Sequence, residues 1–151
     1  MIRSIFLVLC LSLGFQSLSA QIIKDSSKSI RLNFGFPELQ VEDDIQFQDQ
    51  NDNNIIDPSE GGLISFTIKN VGKYPAKNVA VFPKELSGVP GLELPEKQEI
   101  GDLAPGESKL VEVGLFAEEN LEKGTANFIF EIHENGEYEN ISVVYALDTS
   151  Q

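Results

Sequence analysis

Most of the chemistry this sequence offers lies in twelve consecutive residues, Asp49-Gln50-Asn51-Asp52-Asn53-Asn54-Ile55-Ile56-Asp57-Pro58-Ser59-Glu60. Counted from Asp49, oxygen-bearing side chains fall at the first, third, fifth, ninth and twelfth places, as Asp49, Asn51, Asn53, Asp57 and Glu60. Short acids and amides at alternate places let one tight loop turn its oxygens toward a common point. Such an array suits calcium, a hard cation that takes about six to eight oxygen ligands. Ile55, at the seventh place, would contribute its backbone carbonyl, so its side chain is unconstrained. Ile56 beside it is apolar and would tether the loop to the core. Glu60 would close the sphere with both carboxylate oxygens. The expected ligands are therefore Asp49, Asn51, Asn53, Ile55, Asp57 and Glu60. The competing reading is a polar surface turn without an ion, because Asn and Asp favour turns by bonding to their own backbone.

The stretch resembles the EF-hand calcium-binding loop over all twelve positions, with two departures. The sixth position is Asn54 where that family has glycine, and Asn is the next-best residue for a left-handed backbone. The flanking residues alternate with period two, so the helices that bracket such loops are missing. The expectation is a structural calcium loop joining two strands, and the switching that depends on paired helices does not carry over. Without a paired second loop, the affinity belongs to the weak extracellular class, roughly 10⁻⁴ to 10⁻³ M.

The first twenty residues have the pattern of a secretory signal peptide. Arg3 is the positive start, Ile5 to Phe15 is an almost unbroken apolar run, and Ser17-Leu18-Ser19-Ala20 supplies small residues for cleavage. The run is shorter than the roughly 20 apolar residues a membrane-spanning helix needs. Cys10 follows Leu9 inside that run, unlike a lipoprotein cysteine. The expectation is an exported protein, periplasmic, cell-surface or secreted, with no membrane insertion after cleavage. Residues 21–29 would be a flexible leader and 30–151 a single domain.

Cleavage would remove the one cysteine, and with it a thiolate nucleophile, a zinc–thiolate site or an iron–sulfur cluster. His133 is the single histidine, on the strand face opposite Phe128, Phe130 and Ile132, and is expected to be a solvated strand residue rather than a base. With no second histidine, a nucleophilic triad has no assembly here. Twenty-four acidic residues make chance carboxylate pairs unavoidable, so a glycosidase-like pair is a minor alternative. The net charge of −13 argues against nucleic acid, whose binding rests on Lys and Arg neutralising phosphates. Asn140-Ile141-Ser142 matches a glycosylation sequon, relevant only in a host with that pathway.

What must hold the loop is a set of strands. Period-two alternation recurs at Ile30–Phe36, at Leu39–Phe47 with Asp43 interrupting, and at Ile64–Ile68, Val79–Phe82, Val111–Phe116, Ala126–His133 and Ile141–Leu147. Pro90-Gly91 and Pro105-Gly106 suit type II turns, and Asn135-Gly136 predicts a hairpin between the last two strands. Glu118–Lys123 is polar enough for a loop, with room for one helical turn. Phe34, Phe36, Phe66, Phe82, Phe116, Phe128 and Phe130 are expected in the core or between sheets. About seven short strands without helical crossovers predict an all-β fold, an immunoglobulin-like antiparallel β-sandwich, with a closed barrel as the weaker alternative.

The run Glu60-Gly61-Gly62 through Ile64–Lys69 to Asn70-Val71-Gly72 leads into Ala76-Lys77-Asn78-Val79. Ile100-Gly101-Asp102-Leu103-Ala104-Pro105-Gly106-Glu107 follows. Over about residues 39–134 this is similar to the immunoglobulin-like modules of bacterial surface and secreted proteins, notably the cell-adhesion-related CARDB-like class. The resemblance implies a non-catalytic adhesion or accessory module with an envelope or extracellular partner, a protein or a surface glycan. It carries over no binding residues. The rival expectation is an exported inhibitor or ligand-binding protein without metal dependence.

Overall fold

In the computed structural model, residues 36–42, 44–135 and 138–151 are described, those of 138–140 by backbone alone. The chain divides into two units, Met1–Phe34 and Gly35–Gln151, and the described residues belong to the second. The expected signal peptide, the leader and the Ile30–Phe36 strand, its last residue excepted, fall outside them.

Alternation of apolar and polar residues produces strands β1 (Leu39–Val41), β2 (Gln46–Gln48), β3 (Gly61–Asn70) and β4 (Ala76–Glu85). Then come β5 (Leu92–Glu93), β6 (Gln98–Leu103), β7 (Ser108–Ala117), β8 (Gly124–Glu134) and β9 (Tyr138–Thr149), and the described residues contain no helix. One sheet has the order β1-β3-β7-β5, with β2 also on β3; the other runs β6-β4-β8-β9. All strand pairs are antiparallel. This is the expected β-sandwich.

The period-two pattern sets which side chains meet between the sheets. On β7, Val111, Val113, Leu115 and Ala117 are buried, and on β8 so are Ala126, Phe128, Phe130 and Ile132. Phe66 of β3 reaches across to Phe130, with ring centroids 5.3 Å apart and tilted, an arrangement that aromatic pairs favour. Three of the phenylalanines expected in the core or between the sheets lie elsewhere; Phe82, next to inward Val81 on β4, faces out and is half-buried. Phe116 neighbours inward Leu115, so it must face out and is 46% exposed. Phe36 precedes the first paired residue and is 77% exposed.

The strand count also differs from the expected seven or so. Leu39–Phe47 splits into β1 and β2, both borne by β3. β5 and β6 arise in a segment that gave only turn signals, because Glu99, Gly101 and Asp102 dilute its apolar pattern and Leu103 alone is fully buried there. The turns behave as read: Gly91 and Gly106 take φ of 83° and 80°. Asn135, at φ 54°, opens the β8–β9 hairpin, whose Gly136 is outside the described residues. Glu118–Lys123 forms a turn closed by the Leu121 N–H on the Glu118 carbonyl, without a helical turn.

Gly72 shows how tightly the β1 lead-in is pressed onto the β3–β4 turn. A Cβ there would stand 2.5 Å from the Glu38 nitrogen and 3.0 Å from Pro37 backbone atoms. Backbone cannot swing aside as a side chain can, so Gly72→Ala is expected to cost about 1–3 kcal/mol. A urea midpoint lowered without a change in slope would check it; an unchanged midpoint would show the lead-in to be free to move.

Candidate metal centre

The Asp49–Glu60 loop joins β2 to β3, and its two end residues are buried acids, Asp49 at 8% exposure and Glu60 at 5%. Buried carboxylates need hydrogen-bond donors, and the loop backbone supplies them. Glu60 accepts the Gln50 N–H on Oε1 and the Asp57 N–H on Oε2, both at 2.9 Å. Asp49 Oδ2 accepts the Ile55 N–H at 3.2 Å. Asn51 Oδ1 accepts the Asn53 N–H at 3.0 Å and Asn53 Oδ1 the Ile55 N–H at 2.7 Å, two successive Asx turns. Both amides then donate from Nδ2 to Asp57 Oδ2, at 2.8 and 3.0 Å. The backbone accommodates this with left-handed residues at Asp52 (φ 58°), Asn54 (φ 60°) and Ser59 (φ 63°). Asn54 thus adopts the conformation for which glycine would serve.

All six sequence-derived residues therefore lie in one hydrogen-bonded loop. The carboxylate oxygens of Glu60, Oδ2 of Asp49 and the amide oxygens of Asn51 and Asn53 each hold one N–H. Each keeps a second lone pair, so this donor set has the chemistry that a hard cation takes. Among the described residues no three His, Cys, Asp or Glu side chains converge as a metal-holding group. A cation held by all six expected residues would therefore have to draw the Asp49, Asp57 and Glu60 carboxylates together, the last two from their present donors, with amide and carbonyl oxygens completing the set.

Ile56 is fully buried, and its backbone joins the loop to the opposite sheet. It forms a parallel bridge with Thr149 of β9. Its N–H donates to the Asp148 carbonyl and its carbonyl accepts the Ser150 N–H, both at 3.1 Å. The Ser150 hydroxyl donates to Asp57 Oδ1. On the other side the Glu60 carbonyl accepts the Ala117 N–H of β7 at 2.8 Å. One loop thus clamps both sheets. Ser150 had no sequence signal, since it lies 93 positions from its partner and is an ordinary serine near a terminus.

The Ser150 hydroxyl first, and then the Asn51 and Asn53 amides, hold the Asp57 carboxyl below its usual range. A carboxyl depressed on folding adds stability above its unfolded value, and that stability is lost as pH falls through the folded one. The clamp is therefore expected to loosen in acid below about pH 4. The ¹H–¹⁵N shifts of the Ile56 and Ser150 amides should titrate together in that range, and Ser150→Ala should move the transition upward. Flat shifts would detach Asp57 from the clamp.

His133 is not the solvated residue expected. It does face outward from β8, but its ring lies 4.7 Å from that of Phe82. Its side chain is 21% exposed, and Nε2 is shielded, without a hydrogen-bond partner, 3.8 Å from the Glu131 carboxylate. That carboxylate is held low chiefly by the Lys84 ammonium, 2.6 Å away. Outward Phe82 provides the apolar surface that covers the imidazole, and strand alternation alone does not reveal it.

No protein-family model matches the chain and no curated protein matches it in sequence. Solved structures do. The crystal structure of the CARDB domain of a Pyrococcus furiosus protein, in complex with di-metal ions, is 14% identical, with TM-score 0.51, over 77% of this chain and 96% of that one. The solution structure of the same domain gives 16% identity and TM-score 0.55, over 77% and 97%. Native α2-macroglobulin of Escherichia coli, from domain MG7 to the C-terminus, gives 13% identity and TM-score 0.51 over 76% of this chain but 17% of that one. The chain has the immunoglobulin-like sandwich fold of CARDB domains.

Proposed function

We propose that this chain is an exported, non-catalytic β-sandwich module whose Asp49–Glu60 loop binds a structural calcium ion, and that it serves in adhesion or as an accessory to an envelope or extracellular partner. Residues 1–20 are its signal peptide, 21–29 its leader and 30–151 its one domain. The partner is a protein or a surface glycan; nucleic acid is disfavoured by the net charge of −13. The observation that carries the reading is the pair of buried carboxylates, Asp49 and Glu60, closing both ends of a β2–β3 loop that is hydrogen-bonded to strands of both sheets. That a CARDB domain of similar fold was solved with metal ions supports it.

Bound calcium supplies positive charge among clustered acids. Asp49, Asn51, Asn53, Asp57 and Glu60 would hold it with side-chain oxygens and Ile55 with its carbonyl. Asp49, Asp52, Asp57 and Glu60 repel one another within this short loop, and a divalent cation removes that repulsion. A loop so fixed keeps Ile56 in the core and the end of β9 against it, presenting one edge of the sandwich in a single shape. Thermal melts in excess EDTA, in calcium and in magnesium test the reading: stabilisation by calcium alone is expected, and identical melts would leave a polar turn.

A further inference from the structure

The edges of the two sheets are protected unequally. β1 and β2 are three residues each and β5 is two, too short to template another strand. β6 carries Glu99 and Asp102, turns left-handed at Gly101 and meets β4 through shifts in register. Short, charged or irregular edges are how sheets avoid unwanted pairing. β9 has none of these over most of its length. It runs from Tyr138 to Thr149, and among the described residues no strand pairs with its far side. In a chain of net charge −13, positions 140–147 hold no charged residue.

Both ends of the open stretch are defined. Ile56 occupies the edge at Thr149, and an extra residue at Asn140 interrupts the register of β9 with β8. Between them lie Ile141–Leu147. Ile141, Val143 and Tyr145 pack on the core yet stay partly exposed, while outward Val144 is 61% exposed.

We propose that this stretch is an interaction surface for a second copy of the chain, pairing β9 antiparallel to β9 about a two-fold axis through Val144. Opposed residues of antiparallel strands share a face, so a two-fold axis normal to a continuous sheet must pass through a residue. The centre of the open stretch is Val144. In that register Val144 meets the partner's Val144, Val143 meets the partner's Tyr145, and Ile141 meets the partner's Leu147. No charged residue opposes another, and Val144, Ile141 and Tyr145 lose exposed surface. A contact limited to one strand edge belongs with small interfaces, under roughly 1,200 Å². The assembly is therefore concentration-dependent. It also strengthens with salt, which screens repulsion between two acidic chains.

Sedimentation equilibrium of the purified full-length chain, from about 10 to 500 μM in low and high salt, tests it. The expected result is a doubling of mass with concentration and a tighter dimer in high salt. Val144→Lys and Val144→Glu should each weaken the dimer by about tenfold or more, by placing like charges opposite one another. An equimolar mixture of the two should restore it. Because Val144 is exposed, both variants should melt near the parent temperature. A monomer throughout overturns the proposal, including one in which slow amide exchange over 141–147 shows that the chain covers its own edge. A dimer indifferent to Val144→Lys overturns it too.

Discussion

Asn70→Leu is expected to destabilise the fold by about 3 kcal/mol, lowering the melting midpoint by roughly 10–15 °C. Asn70 is fully buried at the end of β3. Its Nδ2 donates to the Tyr74 carbonyl at 2.7 Å and the Leu103 carbonyl at 3.1 Å, and its Oδ1 accepts the Gly72 N–H at 3.0 Å and the Glu38 N–H at 3.3 Å. One side chain thus gathers the lead-in to β1, the β3–β4 turn and the end of β6. Its backbone adds the β6–β7 turn, accepting the Gly106 N–H at 2.7 Å and donating to the Glu107 carbonyl at 3.0 Å.

Leucine keeps the volume and removes all four side-chain bonds. Each buried group left without a partner costs about 1–3 kcal/mol. The Leu103 carbonyl bears the full cost, since that bond is buried, and water can partly replace the others. Asn70→Asp is more telling. Ionised, it would aim a carboxylate at two carbonyls; protonated, it regains one donor. Its folded-state pKa is then raised, so the variant should gain stability as pH falls, opposite to the clamp at Asp57. Paired melts across acidic pH check this, and a variant no less stable than the parent would show that Asn70 is not the junction of these segments.

The second large effect is the response to calcium. At about 100-fold excess over the dissociation constant, linkage contributes roughly 2.7 kcal/mol, or on the order of 10 °C. The geometry decides which variants can report it. Glu60→Ala frees the Gln50 and Asp57 N–H groups in a buried place, so it should destabilise the protein in EDTA as well. Only the difference between calcium and EDTA is informative there. Asn51 and Asn53 are exposed, and their oxygens hold one loop N–H each. Asn51→Ala and Asn53→Ala should change the EDTA melt little and remove much of the calcium shift. A full shift retained in both would take the ion away from this loop.

Much of this was legible from local pattern. The alternation in β3, β7 and β8 is legible because burial on a strand repeats every second residue. The left-handed Asn54, the turns at Gly91 and Gly106 and the buried Ile56 follow from the chemistry of single residues in their own neighbourhood. The loop's internal contacts are legible for the same reason, since Asx turns and a closing glutamate act within twelve positions.

Long-range placement was not. Nothing near Ser150 announces Asp57, and nothing in Phe82 announces that its ring will shield His133. β5 and β6 exist because the sandwich offers them partners, although their own residues favour strands weakly. Asn70 shows the division within one side chain. Its place in an Asn-Val-Gly turn was readable, but the Leu103 and Glu38 groups that it binds reach it only once two strands from other parts of the chain have packed there. The same holds for β9. Its sequence determined an uncharged, alternating strand, and the order of the sheet decided that this strand, and not a better-protected one, stands at the open edge. Periodicity acts between neighbours in the chain, whereas edges, clamps and buried polar junctions arise where distant segments exclude water together.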